Sequence, residues 1–176
     1  MKPARFLPAV AVALGLAAAP LAGPALAQAT EPESIGAFDN WQAVTFDEGG
    51  KKGCYITSKP TKEEGDYTQR GRVYVLVTHR PADKSYDVVS LVAGYVYGDS
   101  GDVTVTIDQT QFDLFTSQDS AWAMDAATDL GLVNAMKKGN SMVVKGRSSR
   151  GTPTTDTYSL TGFSRAYQAI AEACPR

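Results

Sequence analysis

The sequence contains little histidine and little cysteine, and this scarcity limits the chemistry that it can carry. Of the 176 residues, one is a histidine and two are cysteines. A zinc site usually takes several His and Cys ligands, which this chain can hardly supply. A Ser-His-Asp site would depend on His79, but there is no Gly-x-Ser-x-Gly motif, and His79 stands at a predicted strand end before Pro81. We therefore predict no catalytic residues, no metal ligands and no cofactor, and we interpret His79 as a polar strand-end residue.

Long apolar runs are also absent after residue 27, whereas residues 1–27 contain one. Two positive charges come first, residues 6–19 are almost continuously apolar, and small residues lead up to Ala27. This order is typical of a secretory signal peptide that is cleaved between Ala27 and Gln28. A retained anchor helix is the alternative, but the run is shorter than the roughly 20 residues that a membrane span needs. We predict a mature chain that does not span the membrane and is periplasmic, with outer-membrane association or secretion left open.

The two cysteines, Cys54 and Cys174, both lie in the predicted mature chain. An even count in an oxidising compartment favours a disulfide between them over two free thiols. The bridge would close a loop of about 120 residues, which stabilises the fold by about 4–5 kcal/mol in the chain-entropy model. Neither cysteine lies near the predicted cleavage site, so the sequence offers no residue for the lipid anchor of a bacterial lipoprotein.

Positive charge is in short supply over the mature chain as a whole. Of the 17 Lys and Arg residues, Lys2 and Arg5 belong to the signal peptide, so that 15 remain against 19 Asp and Glu and the net charge is −4. Proteins that bind nucleic acid carry a basic surface for the phosphates. We therefore do not expect nucleic acid as a partner.

One segment departs from this acidic balance, because residues 137–150 contain five positive charges and no acid. It predicts an anion-binding patch for lipopolysaccharide or a sulfated glycan. Alternatively, the charges belong to a solvated helix end, where they suit the helix dipole, followed by a charged hairpin turn. The residues alone favour this second interpretation. The candidate patch consists of Lys137, Lys138, Lys145, Arg147 and Arg150.

Short β-rich segments separated by turn residues run through the mature chain. The clearest is residues 103–107, whose strict alternation predicts that Val103, Val105 and Ile107 face the core. Asp125 is a plausible N-cap for a helix over residues 126–138, and a second helix is predicted over 162–173. The pattern predicts a mainly β fold, either an antiparallel β-sandwich or a strongly curved sheet, with two flanking helices, one of them C-terminal. Further strands are predicted over residues 41–46, 54–57, 73–78, 86–97, 112–115, 121–124, 141–145 and 155–160, a loop over 59–72, a disordered leader over 28–36 and a single domain over 37–176.

The last third of the sequence resembles a known family. Residues 130–144 join a helix to a strand through Lys-Gly, and residues 159–170 read Ser-Leu-Thr-Gly-Phe-Ser-Arg-Ala-Tyr-Gln-Ala-Ile. This combination resembles the invasion-associated locus B family of exported alphaproteobacterial proteins. Trp41 and the Gly-Cys54 hairpin resemble the opening of the same family, so the resemblance spans about residues 37–174. Many members carry a cysteine where Thr45 stands here, and its absence supports the long-range pairing.

The resemblance implies an exported all-β domain with flanking helices, linked by name to host-cell invasion in some pathogens. It brings no catalytic residues. We expect an exported, non-enzymatic, periplasmic or envelope-associated protein that binds an envelope component. A factor that contacts a host surface is a second interpretation, and a periplasmic hydrolase with a carboxylate-only site is a third. The partner, the link to invasion and the oligomeric state stay open.

Overall fold

The computed structural model describes residues 31–98 and 103–176, and this part of the chain forms eleven β-strands and two α-helices. The predicted signal peptide and its cleavage site between Ala27 and Gln28 lie outside the described residues. No helix within the described ranges is long and apolar enough to cross a membrane. The strands are β1 Glu33–Phe38, β2 Trp41–Glu48, β3 Lys51–Ser58, β4 Lys62–Gly65, β5 Tyr74–Arg80, β6 Ser85–Val92, β7 Val103–Ile107, β8 Thr110–Ser117, β9 Ser120–Trp122, β10 Ser141–Arg147 and β11 Pro153–Ser159; the helices are α1 Ala126–Lys138 and α2 Phe163–Ala173.

All eleven strands belong to one antiparallel sheet in the order β1-β2-β3-β5-β6-β9-β8-β7-β10-β11-β4. The sheet bends until its two halves approach each other. Trp41 Nε1 of β2 donates a hydrogen bond to the carbonyl oxygen of Ser159 in β11 at 3.0 Å. The sheet remains unclosed, with β1 and β4 as its edges. The predicted mainly β fold with two flanking helices is therefore confirmed, in the form of the curved sheet.

Side-chain alternation determines which face of each strand enters the core. In β7, Val103, Val105 and Ile107 are buried as predicted, and the two threonines between them are partly exposed. The predicted strand over residues 86–97 is wrong in its second half, because β6 ends at Val92. Gly94 then adopts a positive φ of 72°, and a Cβ there would meet the Gly71 carbonyl oxygen at 2.6 Å. The chain turns out of the sheet at this point.

The two helices pack against different parts of the sheet. The carboxylate of Asp125 accepts a hydrogen bond from the Thr128 amide at 2.8 Å, which caps α1 as predicted. This helix packs against β6 and β8, whereas α2 packs against β1, β2 and β3. The ring of Phe163 in α2 meets Trp41 edge to face at a centroid distance of 4.9 Å. Both helices were predicted from the sequence within a residue or two of their bounds.

Two edge strands occupy segments that were predicted to be irregular. The predicted disordered leader over residues 28–36 is contradicted from residue 33 onward, because β1 pairs there with β2. Likewise β4 lies inside the predicted loop over residues 59–72 and pairs with β11. All four residues of β4 are exposed, and three are charged. An edge strand with charged side chains resists pairing with another chain. Such a strand shows no alternation of apolar and polar residues, so the sequence pattern does not predict it.

The predicted disulfide between Cys54 and Cys174 is confirmed. The two Cα atoms lie 6.0 Å apart, and both residues are buried. The bridge joins the residue after α2 to the middle of β3, so the C-terminal helix is tied covalently to the sheet on which it packs.

Candidate binding cleft

Three chain segments meet beside the turn between β10 and β11 and form an open cleft of about 480 Å³. They are residues 66–70 after β4, residues 94–96 after β6, and residues 148–154 of the turn and the start of β11. Hydroxyl, amide and guanidinium groups dominate the lining, and only Val96 adds an aliphatic surface. A concave site whose polar groups converge from separate segments is the usual form of a ligand pocket.

Arg70 forms the floor of this cleft and connects the three segments. Its side chain is 3% exposed. The Nε group donates to the Ala93 carbonyl oxygen at 2.7 Å, and the two terminal nitrogens donate to the two carboxylate oxygens of Asp156 at 2.6 and 2.7 Å. The guanidinium also lies over the rings of Tyr67 and Tyr95, 5.4 and 5.1 Å from their centroids. Only arginine combines a bidentate fork with stacking on aromatic faces.

The electrostatics of the floor keep the Arg70 guanidinium charged. Burial by itself would lower the pKa of Arg70, but the hydrogen bonds and the charge of Asp156 raise it above the ordinary arginine value. Burial also raises the pKa of Tyr95, whose hydroxyl pairs with the Thr154 hydroxyl at 2.6 Å. The phenol therefore stays neutral at physiological pH and remains a hydrogen-bonding group.

Three of the five predicted patch residues lie in β10 and in the turn that follows it, and Arg150 in this turn lines the cleft. Arg147 donates a hydrogen bond to the Gly151 carbonyl oxygen at 2.6 Å and so braces the turn. Lys145 and Arg147 are alternate exposed residues of β10 and project from the outer face of the sheet, opposite to the face of Thr154 and Asp156.

The other two predicted patch residues lie at the C-terminal end of α1. The ammonium group of Lys137 is 3.5 Å from the ring centroid of Tyr167 in α2, and burial lowers its pKa. Lys138 is exposed at the last position of the helix. Lys137 is therefore engaged with the second helix rather than with the cleft.

The basic segment is free of acids in the sequence but not in the sheet. Lys145 lies opposite Thr104 on one side and opposite Thr155 on the other. The next residues in this row are Asp113 and Glu64. Neighbouring strands are about 4.8 Å apart, so each of these two acidic residues lies about 10 Å from Lys145. This distance is close to the Debye length. The attraction for anions therefore concentrates at the turn end of β10.

The one histidine belongs to a second, buried polar cluster that the sequence did not indicate. His79 is the penultimate residue of β5 and is almost fully buried. Its Nε2 atom pairs with Asp87 Oδ1 at 3.2 Å, and the Tyr167 hydroxyl donates to the same oxygen at 2.5 Å. Arg176 donates to the other carboxylate oxygen. All these contacts join β5, β6, α2 and the C-terminus, so the cluster is a packing element.

Among the residues that the structure describes, no group of three or more His, Cys, Asp or Glu side chains could hold a metal ion. The carboxylate in the lining of the cleft is that of Asp66, which is exposed. Asp156 lies behind the lining, where both of its oxygens accept hydrogen bonds from Arg70. A pair of carboxylates for hydrolysis is therefore not assembled in the cleft.

The Asp87 cluster predicts that stability falls in acid. Burial by itself would raise the pKa of Asp87, but the hydrogen bonds from His79 and Tyr167 and the charge of Arg176 lower it below the usual 3.8. A depressed pKa in the folded state stabilises the fold above about pH 4, and this contribution is lost as the pH falls further. Asp129 acts in the opposite sense, because burial raises its pKa.

We expect Asp87→Asn to lower the free energy of unfolding by about 1.5–3 kcal/mol at pH 7, the usual value of hydrogen bonds to a charged group. At pH 3 the difference from the parent chain should shrink, because the carboxyl is then largely protonated in the unfolded state and the ionised folded state loses part of its advantage. Urea unfolding at the two pH values measures this. Asp83→Asn is the control, since Asp83 forms only a surface pair with Lys51. A difference of the same size at both pH values would contradict the assignment.

Comparison with known proteins supports the resemblance seen in the sequence. The profile of the family described as Invasion associated locus B (IalB) protein matches residues 41–171. Among solved structures, the crystal structure of invasion associated protein B from Bartonella henselae is similar, with a TM-score of 0.53 at 17% identity, over 82% of this chain and 97% of that chain. Identity this low shows a shared fold alone. No curated protein matches the sequence significantly.

Proposed function

This chain belongs to the invasion-associated locus B family, and we propose that it is an exported, non-enzymatic binding module of the cell envelope. The proposed contact surface is the open cleft together with the turn between β10 and β11 and the exposed outer face of β10 that leads into this turn. One observation carries the proposal: Arg150, from the basic segment of the sequence, lines a polar cleft whose floor is formed by Arg70, which is held by two hydrogen bonds to Asp156. The partner is an anionic component of the envelope or of a host surface.

The arrangement of acids and bases favours binding over catalysis. A general acid or base needs a group within reach of substrate whose pKa lies near the working pH. Asp156 is held by Arg70, and His79 is enclosed with Asp87 and Tyr167 in the second cluster. The carboxylate-only hydrolase therefore finds no support in the geometry of the cleft.

Two features support the proposed export to the periplasm. The N-terminal order of charge, apolar run and small residues is that of a signal peptide ending at Ala27. The disulfide between Cys54 and Cys174 is a kind of bond that persists in oxidising compartments and is rare in the cytosol. Association with the outer membrane or secretion would satisfy both features equally.

The test uses the mature protein from a periplasmic extract, with its N-terminus at Gln28 checked by intact mass. At low salt it should bind vesicles that carry lipopolysaccharide and release them as salt rises. Replacing Lys145, Arg147 and Arg150 by serine should weaken binding about 100-fold, since each charge near an anionic surface contributes about 1 kcal/mol. The melting temperature should hardly change, because exposed substitutions cost about 0.5 kcal/mol or less.

The matched control removes three positive charges elsewhere on the exposed surface, at Lys52, Lys59 and Arg72. This variant has the same net charge and should keep most of the affinity. Equal losses in the two triple variants would show a response to net charge and would overturn the proposed surface. Equal binding of the parent to vesicles of neutral phosphatidylcholine would do the same.

A further inference from the structure

We propose that the cleft is a saccharide-binding site for a sugar residue that carries a carboxylate. Tyr67 provides the stacking surface, and Arg150 provides the partner of the carboxylate. This inference rests on the proposed binding function and names the chemistry of its ligand.

The size and lining of the cleft fit a small polyhydroxylated ligand. A volume of about 480 Å³ lies within the range of small-molecule sites. Most of the lining groups are hydroxyls and amides, including those of Gln69, Ser148, Ser149 and Thr152. Groups of this kind pair with a ligand that offers many closely spaced donors and acceptors. A sugar ring does so at its hydroxyls and presents C–H groups on its faces.

An aromatic ring stands in the wall of the cleft where such a face could pack. Tyr67 is half-buried, and its ring contacts the Arg70 guanidinium. Tyr95, by contrast, is engaged on several sides, with Arg70, with the Tyr97 ring 5.2 Å away and with the Thr154 hydroxyl. Tyr67 has fewer neighbours, namely Arg70 and the backbone of Gly65, and is therefore the ring that can offer a platform to a ligand.

Arg150 and Arg70 differ in what their guanidinium groups contact. Arg70 is saturated by Asp156 and the Ala93 carbonyl oxygen. Arg150 is exposed, and no carboxylate of residues 31–98 or 103–176 lies within ion-pair distance of it. A guanidinium in this state recognises a carboxylate through two parallel hydrogen bonds.

The backbone that carries Arg150 is already ordered. Ser148 and Thr152 are joined by a hydrogen bond from amide to carbonyl oxygen at 2.9 Å, and the Gly151 amide donates to the Ser148 carbonyl oxygen at 2.8 Å. The Ser149 amide donates to the Val96 carbonyl oxygen at 2.8 Å, which fixes the turn to the opposite wall. A ligand therefore does not have to order the walls of the cleft, which lowers the free-energy cost of binding.

The test is an NMR titration of the mature protein with galacturonic acid, N-acetylneuraminic acid, glucose and sodium sulfate at constant ionic strength. One of the two acidic sugars should shift the amides of residues 66–70, 94–96 and 148–154, with a Kd on the order of 1 mM. Glucose should bind at least about tenfold more weakly, because it lacks the carboxylate that pairs with Arg150. Sulfate should leave residues 66–70 unshifted, because it has no ring face to pack on Tyr67. The tighter acid distinguishes a uronic-acid polysaccharide of the envelope from a sialylated host glycan.

Variants separate the role of Tyr67 as the stacking surface from the role of Arg150 as the partner of the carboxylate. Tyr67→Leu keeps the packing on Arg70 and should abolish binding of both sugars, whereas Tyr67→Phe should retain it. Arg150→Ser should remove the preference for the acidic sugar over glucose and leave weak sugar binding in place. Arg72→Ser, at an exposed arginine outside the cleft lining, should change neither property.

The outcomes distinguish this inference from the proposed function. If neither acidic sugar shifts the three segments while the serine triple variant still loses lipopolysaccharide binding, the saccharide site is overturned and the anionic surface stands. If an acidic sugar shifts the three segments while lipopolysaccharide binding is insensitive to the triple variant, the saccharide site stands and the broader surface is overturned.

Discussion

A variant that lacks the disulfide, with alanine at Cys54 and Cys174, is expected to unfold with a free energy lower by about 4–5 kcal/mol than the parent. The bridge closes a loop with a sequence separation of 120 residues. In the chain-entropy model a loop of this length restricts the unfolded ensemble by that amount. Since whole domains are stable by only about 5–15 kcal/mol, the loss would remove a large share of the total. Urea unfolding of the two proteins measures it directly.

The position of the bridge explains why the folded state cannot compensate for its loss. Cys174 follows α2, and Arg176 two residues later donates to the buried Asp87. Cys54 lies opposite His79, another partner of Asp87, across β3 and β5. Without the bridge, the last residues are held to the sheet by the contacts of one exposed arginine and a hydrogen bond from the Tyr86 hydroxyl to the Pro175 carbonyl oxygen.

Dithiothreitol provides the control for this experiment. Reduction of the parent should reproduce the stability of the alanine variant, whereas the same reductant should have no effect on that variant. A loss below about 1 kcal/mol in both cases would contradict the prediction, since it would mean that the chain-entropy contribution is offset in the unfolded state.

Sequence patterns predicted the elements that have one buried face, and they missed the elements that have none. The helix α1 was predicted with its correct bounds because Asp125 caps it and Gly139 follows it. The strand β7 was predicted from its alternation, which reflects a core on one side. In contrast, β4 has four exposed residues, so its only structural signal is a partner that lies far away in the sequence.

The same reasoning explains which parts of the candidate site could be predicted. Arg150 was found because the basic segment is visible as a run of charges. The ion pair of Arg70 and Asp156 was not found, because its two members are 86 residues apart in the sequence. One signal was present: Asp156 alternates with Thr154 and Tyr158 in β11, and all three are buried. A carboxylate on the core face of a strand requires a buried partner, and the sequence offered several arginines without identifying one.

The second large predicted effect is a loss of stability when the ion pair of Arg70 and Asp156 is broken. Arg70→Met should lower the free energy of unfolding by about 3–5 kcal/mol, because it leaves the Asp156 carboxylate unpaired in the interior. The side chain of Asp156 is 6% exposed, so water cannot replace the two lost hydrogen bonds. The control is Arg72→Met, two residues away at an exposed position, which should cost about 0.5 kcal/mol or less.

A second variant separates the charge effect from lost packing. Arg70→Met combined with Asp156→Leu removes both charges and should recover a substantial part of the stability, since an apolar pair of similar volume often replaces a buried ion pair at little cost. The methionine still covers the rings of Tyr67 and Tyr95, which the guanidinium contacts in the parent. The double variant should therefore fold, and it should be more stable than Arg70→Met. It lacks the two hydrogen bonds that connect the cleft segments, so its affinity for sugar should be lower than that of the parent. If the double variant is less stable than Arg70→Met alone, the unpaired carboxylate is not the source of the loss, and Arg70 acts through its stacking on the two tyrosines instead.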